Sequence, residues 1–176
     1  MISRRAFGLL VPGVALDLCL PRVVGAAPSR ELFTLGRNKN ANVVKYAVRT
    51  AKNGRLDAND PIEAYWLMLA DNGRREELTW AERQLAYGFS VSDCTPESCT
   101  LRLSACSDRA VRVSVSNGHA QAQLAIARQP ATLQRIFVQA DEGALLPSVR
   151  YVELSGVTAN GQRVAERVEP RRVRRF

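Results

Sequence analysis

One histidine, His119, is all that this 176-residue chain carries. A histidine base needs an orienting partner, and His119 directly follows Asn117-Gly118, a turn position that normally points to solvent. The chain also lacks Gly-x-Ser-x-Gly, a phosphate-cradling glycine loop, His-Glu-x-x-His and a calcium loop. It has no apolar run approaching the ~20 residues of a membrane helix, because Gly8, Pro12, Gly13 and Asp17 break the stretch from Phe7 to Leu20. Any enzyme built here would have to work through carboxylates, arginines or tyrosines. The sequence assigns no catalytic residue, metal or cofactor, and it leans away from an enzyme.

A broad cationic surface is missing as well. The formal charge is +8, but the first 26 residues hold three arginines against one aspartate, which leaves +6. Arg171, Arg172, Arg174 and Arg175 supply four of those charges within the last six residues, so the body is about +2. That excludes nucleic acid as a partner. The basic tail, residues 171–176, can rest weakly on anionic lipid at about 1 kcal/mol per arginine, or be an ordinary solvated end.

What is present begins with an address. Met1 to Arg5 supplies a basic start, Phe7 to Leu20 an apolar middle, and Val24-Gly25-Ala26 the small residues of a cleavage site. Ser3-Arg4-Arg5-Ala6-Phe7 resembles a twin-arginine export signal, and Arg22 beside the cleavage region is typical of signals that avoid the general secretion route. The expectation is a signal peptide at 1–26, a single β-rich domain at 27–170 and the tail at 171–176, in a protein exported to the periplasm or secreted. About 150 mature residues are enough to bury a core without disulfides or metal.

Turn chemistry points to the architecture. Asn-Gly occurs four times, at 53–54, 72–73, 117–118 and 160–161, where random placement of these residues gives about half a pair. Both residues tolerate the positive φ of a tight hairpin turn. Val111, Val113 and Val115 alternate with polar residues before the third turn, and Ala120, Ala122, Leu124 and Ile126 alternate after it. The predicted strands are 32–37, 43–50, 62–70, 87–92, 100–105, 110–116, 120–127, 134–140, 149–155 and 163–168. Thr79-Trp80-Ala81-Glu82 fits a capping box opening one short helix near 80–87, with Gly88 placed to end it at positive φ. The fold expected is all-β: an antiparallel meander of about ten strands, closed as a small barrel or sandwich to hide its edges.

Beyond the signal three cysteines remain. Cys94-Thr-Pro-Glu-Ser-Cys99 brackets a four-residue turn, so a Cys94–Cys99 disulfide is expected in an oxidising compartment. Zinc fits poorly, since the cysteine spacings do not match the usual knuckle, and buried free thiols are the other reading. Cys106 is left over as a small core residue.

Two polar-aromatic stretches supply candidate binding residues. Arg37, Lys39, Asn40 and Asn42 crowd cationic heads and amides ahead of a strand, a set able to hold a carboxylate or phosphate. Tyr46, Tyr65 and Trp66 can line an apolar pocket, with Glu77 and Glu82 nearby in sequence. An Asx-stabilised turn and plain core packing are the competing readings.

At these residues the chain resembles a bacterial domain-of-unknown-function family, number 4833. The likeness lies in Arg37-x-Lys39-Asn40-x-Asn42-Val43-Val44-x-Tyr46, Pro61-x-x-x-Tyr65-Trp66-x-Met68-Leu69, Glu77-Leu78-Thr79-x-x-Glu82 and Ala86-Tyr87-Gly88-Phe89, with Ile136-Phe137-Val138 and Tyr151-Val152-Glu153-Leu154 resembling later strands. It covers roughly Leu32 to Gly156. The resemblance implies an exported or envelope-associated single domain without an assigned activity, and the cysteine hairpin from Cys94 to Cys106 is not part of its pattern.

Three functions are compatible with these residues. The leading one is a module binding a small amphipathic or anionic ligand, with Arg37, Lys39, Asn40 and Asn42 at its rim and Tyr46, Tyr65 and Trp66 within. A metal-independent hydrolase or isomerase would use Glu77 or Glu82 as acid or base, with Tyr65 or Arg37 steadying charge. A structural envelope protein would contact partners through a strand edge and the basic tail.

Overall fold

The computed structural model of the chain describes residues 30–38, 40–141 and 148–169, with Ser148 described by its backbone alone. The expected signal peptide, Lys39 and the basic tail lie outside the described residues.

Alternating apolar residues and tight turns produce a single curled sheet, shaped as a half-barrel. In chain order its strands are β1 (Glu31–Arg37), β2 (Val43–Val48), β3 (Ile62–Met68), β4 (Arg74–Glu77), β5 (Phe89–Ser92), β6 (Ser98–Leu103), β7 (Ala110–Ser116), β8 (His119–Ile126), β9 (Gln129–Asp141), β10 (Ser148–Thr158) and β11 (Arg163–Val168). Helix α1 (Trp80–Leu85) connects β4 to β5. The sheet order is β4-β3-β2-β1-β9-β8-β7-β6-β5, with β10 on the other side of β9 and β11 beyond it.

Two features depart from a simple antiparallel meander. β1 runs parallel to β9, with Thr34 to Arg37 opposite Arg135 to Val138, whereas the other ladders are antiparallel. β9 is also a branch: its start pairs with β8, its later half with β1, and its opposite edge with β10 over nearly its whole length. Among the described residues no ladder joins β4 to β5, so the two ends of the sheet are linked through α1.

The two wings of the sheet on either side of β9, β1 to β4 and β5 to β8, share one core. Tyr46 on β2 is fully buried, stacked on Phe33 of β1 at 4.7 Å between ring centroids and edge-on to Phe89 of β5 at 6.1 Å. Leu35, Leu101, Leu133, Ile136 and Leu154 are among the other fully buried side chains at its centre. Burying a residue of this size contributes about 1.5–3 kcal/mol, so this shared interior holds the wings together.

The turns follow their chemistry unevenly. Asn117 and Gly118 both take positive φ, 51° and 76°, and join β7 to β8 as a two-residue hairpin. Asn72 and Gly73 do likewise between β3 and β4, but at Asn53-Gly54 and Asn160-Gly161 only the glycine does. The β8–β9 turn, Ala127-Arg128, also has φ of 50° and 65° without an Asn or Gly. Its support is distant in sequence: Glu166 accepts the Ala127 N–H at 2.7 Å and pairs with both Nη atoms of Arg109, at 2.8 and 2.6 Å.

The capping box is present. The Glu82 amide donates to the Thr79 hydroxyl at 3.3 Å, and the Glu82 carboxylate accepts the Thr79 N–H at 2.8 Å. Gly88 corrects the expectation, since it does not adopt positive φ. It is needed for close approach instead: a Cβ there would stand 2.0 Å from the Arg83 carbonyl oxygen.

Candidate functional site

Strand alternation divides the predicted binding residues between two faces. Phe33 stacks on Tyr46, so β1 places Leu35 and then Arg37 on the same inner face. β3 turns Trp66 inward, where it meets the Tyr87 ring edge-on at 4.9 Å. Tyr65 therefore faces outward, opposite Lys45 and Glu77, with the Arg75 guanidinium 3.8 Å over its ring. Glu77 is also outside and exposed, accepting from Arg83 at 3.0 Å and Arg75 at 3.4 Å. Tyr46 is core, its hydroxyl donating to the Tyr87 carbonyl at 2.9 Å, and burial raises its phenol far above the ordinary value. Tyr65 and Glu77 thus leave the inner cluster, and Tyr46 lines no pocket.

The amides of the β1–β2 loop are committed to structure. The Asn40 side chain accepts the Asn42 N–H at 2.9 Å, an Asx turn, and Asn42 accepts the Ala70 N–H at 3.4 Å. Asn38 extends the β1–β9 ladder past its end, exchanging side-chain hydrogen bonds with the Ala140 backbone at 3.0 and 2.8 Å.

What the structure brings together is Arg37, Trp66, Glu82 and Tyr87. Trp66 Nε1 donates to Glu82 at 3.0 Å, and the other Glu82 oxygen accepts from the Thr79 backbone and hydroxyl, both at 2.8 Å. Desolvation pushes the Glu82 carboxyl upward, but the Thr79 and Trp66 donors outweigh it and hold it below the usual range. A carboxylate held ionised in this way is a poor proton donor. Arg37 lies beside the Tyr87 hydroxyl; burial keeps that phenol above its ordinary value although the nearby guanidinium pulls it down.

Arg37 is distinctive in its charge balance. Four cations are half-buried among the described residues: Arg37, Lys45, Arg49 and Arg109. Lys45 pairs with Glu31, Arg49 with Asp60 and Glu63, and Arg109 with Glu166. Arg37 has the neutral Tyr87 hydroxyl and, among the described residues, no carboxylate at salt-bridge distance. Glu82 stands near Tyr87, but its oxygens already serve Thr79 and Trp66.

Tyr87 is the member that sequence reasoning missed as a site residue. Its place after the capped helix and before Gly88 was a usable signal, since that geometry turns the chain inward there.

The expected Cys94–Cys99 disulfide is not present: both are free thiols, with no pair at disulfide distance. The β5–β6 register pairs Ser92 with Thr100, which sets Cys94 one position away from facing Cys99, and Asp93 in the left-handed region turns the chain between them. Burial, with the Cys94 thiol beside it, pushes Cys99 up to about 12, and burial pushes Cys106 up to about 11. Cys106 is buried in the core. No group of three His, Cys, Asp or Glu side chains placed to hold a metal occurs among the described residues.

Two open grooves lie elsewhere. One of about 460 Å³ runs beside Gln121, Gln123, Pro130, Thr132 and Ala159, and one of about 270 Å³ beside Asp93, Thr100, Arg112 and Gln123. Neither contains a predicted ligand-binding residue, and the second is also lined by Cys99.

No curated protein sequence and no solved structure matches the chain. The profile of the domain of unknown function DUF4833 matches residues 33–167, which span the half-barrel from β1 into β11 and include Arg37, Trp66, Glu82 and Tyr87. The chain belongs to the DUF4833 family.

Proposed function

We propose that this chain is an exported, non-catalytic module that binds a small amphipathic anion, with the anionic group at Arg37 and the apolar part against Trp66. The observation that carries the reading is the missing counter-ion: a half-buried guanidinium whose described neighbour is the neutral Tyr87 hydroxyl. Burial of a charge is costly without a partner, and a bound carboxylate or phosphate would supply one in the geometry that Arg favours. Lys39, two residues on in sequence, would add attraction. The saturated, ionised Glu82 supports binding over proton transfer, because its role is to fix Trp66 and cap α1.

The test is a titration of the chain from Ala27 onward with sodium octanoate and with inorganic phosphate, followed through the Trp66 indole N–H resonance. Saturable shifts are expected with at least one probe, and Arg37→Met should weaken binding at least ~10-fold, about 1.4 kcal/mol, while the melting temperature stays nearly unchanged. No saturable shift with either probe, or equal binding by the variant, overturns the reading. A large loss of melting temperature in Arg37→Met would assign Arg37 to structure.

A further inference from the structure

A second surface is independent of the Arg37 cluster. Among the described strands, β4, β5 and β11 each pair on one side only. A free edge offers unpaired N–H and C=O groups, and proteins commonly block such edges with charge. β4 does so with Arg74, Arg75, Glu76 and Glu77, and β11 with Arg163, Glu166 and Arg167. β5 does not: Phe89-Ser90-Val91-Ser92 contains no charge and no proline.

The register shows which groups that edge presents. The Ser104 N–H donates to the Gly88 carbonyl at 2.9 Å, and Phe89 lies opposite Leu103. Bonding alternates along an antiparallel pair, so Gly88, Ser90 and Ser92 bond toward β6, while Phe89 and Val91 direct N–H and C=O outward. Their side chains pack on the core and the serines are exposed. Helix α1, which leads into this edge, buries none of its residues and leaves Trp80 and Leu85 each 77% exposed.

We infer that β5 is a docking edge for an extended, uncharged segment of another protein, which adds as a strand and sets apolar side chains against Trp80 and Leu85. Alternating donors and acceptors at strand spacing are matched by a polypeptide backbone in extended form, and affinity in this mode comes from the main chain with side-chain pockets setting preference. The lack of charge on β5, beside two edges that carry it, selects an uncharged segment.

The experiment uses the chain from Ala27 onward, uniformly ¹⁵N-labelled, and a capped eight-residue peptide of alternating threonine and valine. The peptide should shift the Phe89 and Val91 amides saturably and slow their hydrogen exchange at least ~10-fold, as pairing of a free edge requires. The same peptide with alternate amides N-methylated should bind at least ~10-fold more weakly, since it cannot complete the ladder. Val91→Pro removes an outward N–H without touching the bonds to β6, and Leu85→Ser alters a side chain that is mostly exposed; both should lose affinity while the fold is retained. Equal binding of the methylated peptide overturns the inference. So does absence of saturation at about 1 mM, where binding energy falls to about 4 kcal/mol. Protection of both amides by self-association alone, unaffected by peptide, overturns it in favour of a second copy of the chain. These outcomes leave the Arg37 site untouched, because octanoate and phosphate are read at Trp66.

Discussion

Glu166 shows how one side chain can hold three parts of the molecule. It sits on β11, pairs through both oxygens with Arg109 ahead of β7, and accepts the N–H of Ala127 in the β8–β9 turn. The Arg109 hydrogen bonds lower its carboxyl pKa to about 2 against a desolvation effect that raises it, with the Ala127 N–H helping to lower it. A carboxyl depressed on folding contributes stability that is present above its unfolded value, about 4.3, and is lost as pH falls toward the folded value. Glu166→Gln should therefore cost about 2 kcal/mol at neutral pH, the scale of a charge-assisted hydrogen-bond pair. The gap between wild type and variant should narrow steadily from about pH 5 toward pH 2. Denaturant unfolding of both proteins across that range checks it; a gap that stays constant into acid would place the effect in packing and not in charge.

At the scale of elements, the junction between α1 and β5 leaves no room for a side chain at Gly88, beside the candidate site. Gly88 lets the chain pass the last turn of the helix, where a Cβ would lie 2.0 Å from Arg83 O and 3.0 Å from Ser104 Oγ. Gly88→Ala should cost about 3 kcal/mol, the upper part of the range for overpacking, because the nearest obstacle is backbone that cannot rotate away. Gly54→Ala meets nothing within 4 Å but sits at φ +77°, so it should cost about 1 kcal/mol through strain alone. A denaturant midpoint for each variant separates the two mechanisms, and similar losses would refute the close-approach account.

The same elements show what can be read from sequence and what cannot. The β7–β8 hairpin was legible because Val111 to Val115 alternate and Asn117-Gly118 supplies its turn, and α1 was legible because Thr79 and Glu82 are three residues apart. β4 was hidden: Arg-Arg-Glu-Glu has no apolar period, and it is a strand because the Asn72-Gly73 turn folds it back on β3. The start of β9 was hidden too, since Ala127-Arg128 carries no turn signature and Pro130 weakens a strand reading; Glu166, 39 positions from Ala127, holds the turn. Arg37, Trp66 and Glu82 could be named from local pattern. Their separation from Tyr65 and Glu77 follows from the pleat once the pairing of β2, β3 and β4 is fixed, and pairing is a long-range property.

For the whole molecule, β9 is the strand on which both wings depend. Its first part continues β8, its later part is flanked by β1, and β10 lies along its other side, so the stretch from Leu133 to Val138 is bonded within the sheet and carries fully buried Leu133 and Ile136. Separating the wings would require breaking this strand's pairing and opening the core together, so its amides should exchange only through global unfolding. Free edges need no such event: Phe89 and Val91 on β5 direct their amides outward and can exchange from the native state. Native-state hydrogen exchange under low denaturant should thus rank β9 slowest, with protection free energy equal to that of global unfolding, and these β5 amides among the fastest. If β9 instead opens below the global value, the wings are separable units and the half-barrel is two cooperative bodies. If the β5 amides are protected in the isolated chain, some part of the chain already covers that edge, and a docking strand would have to displace it before binding.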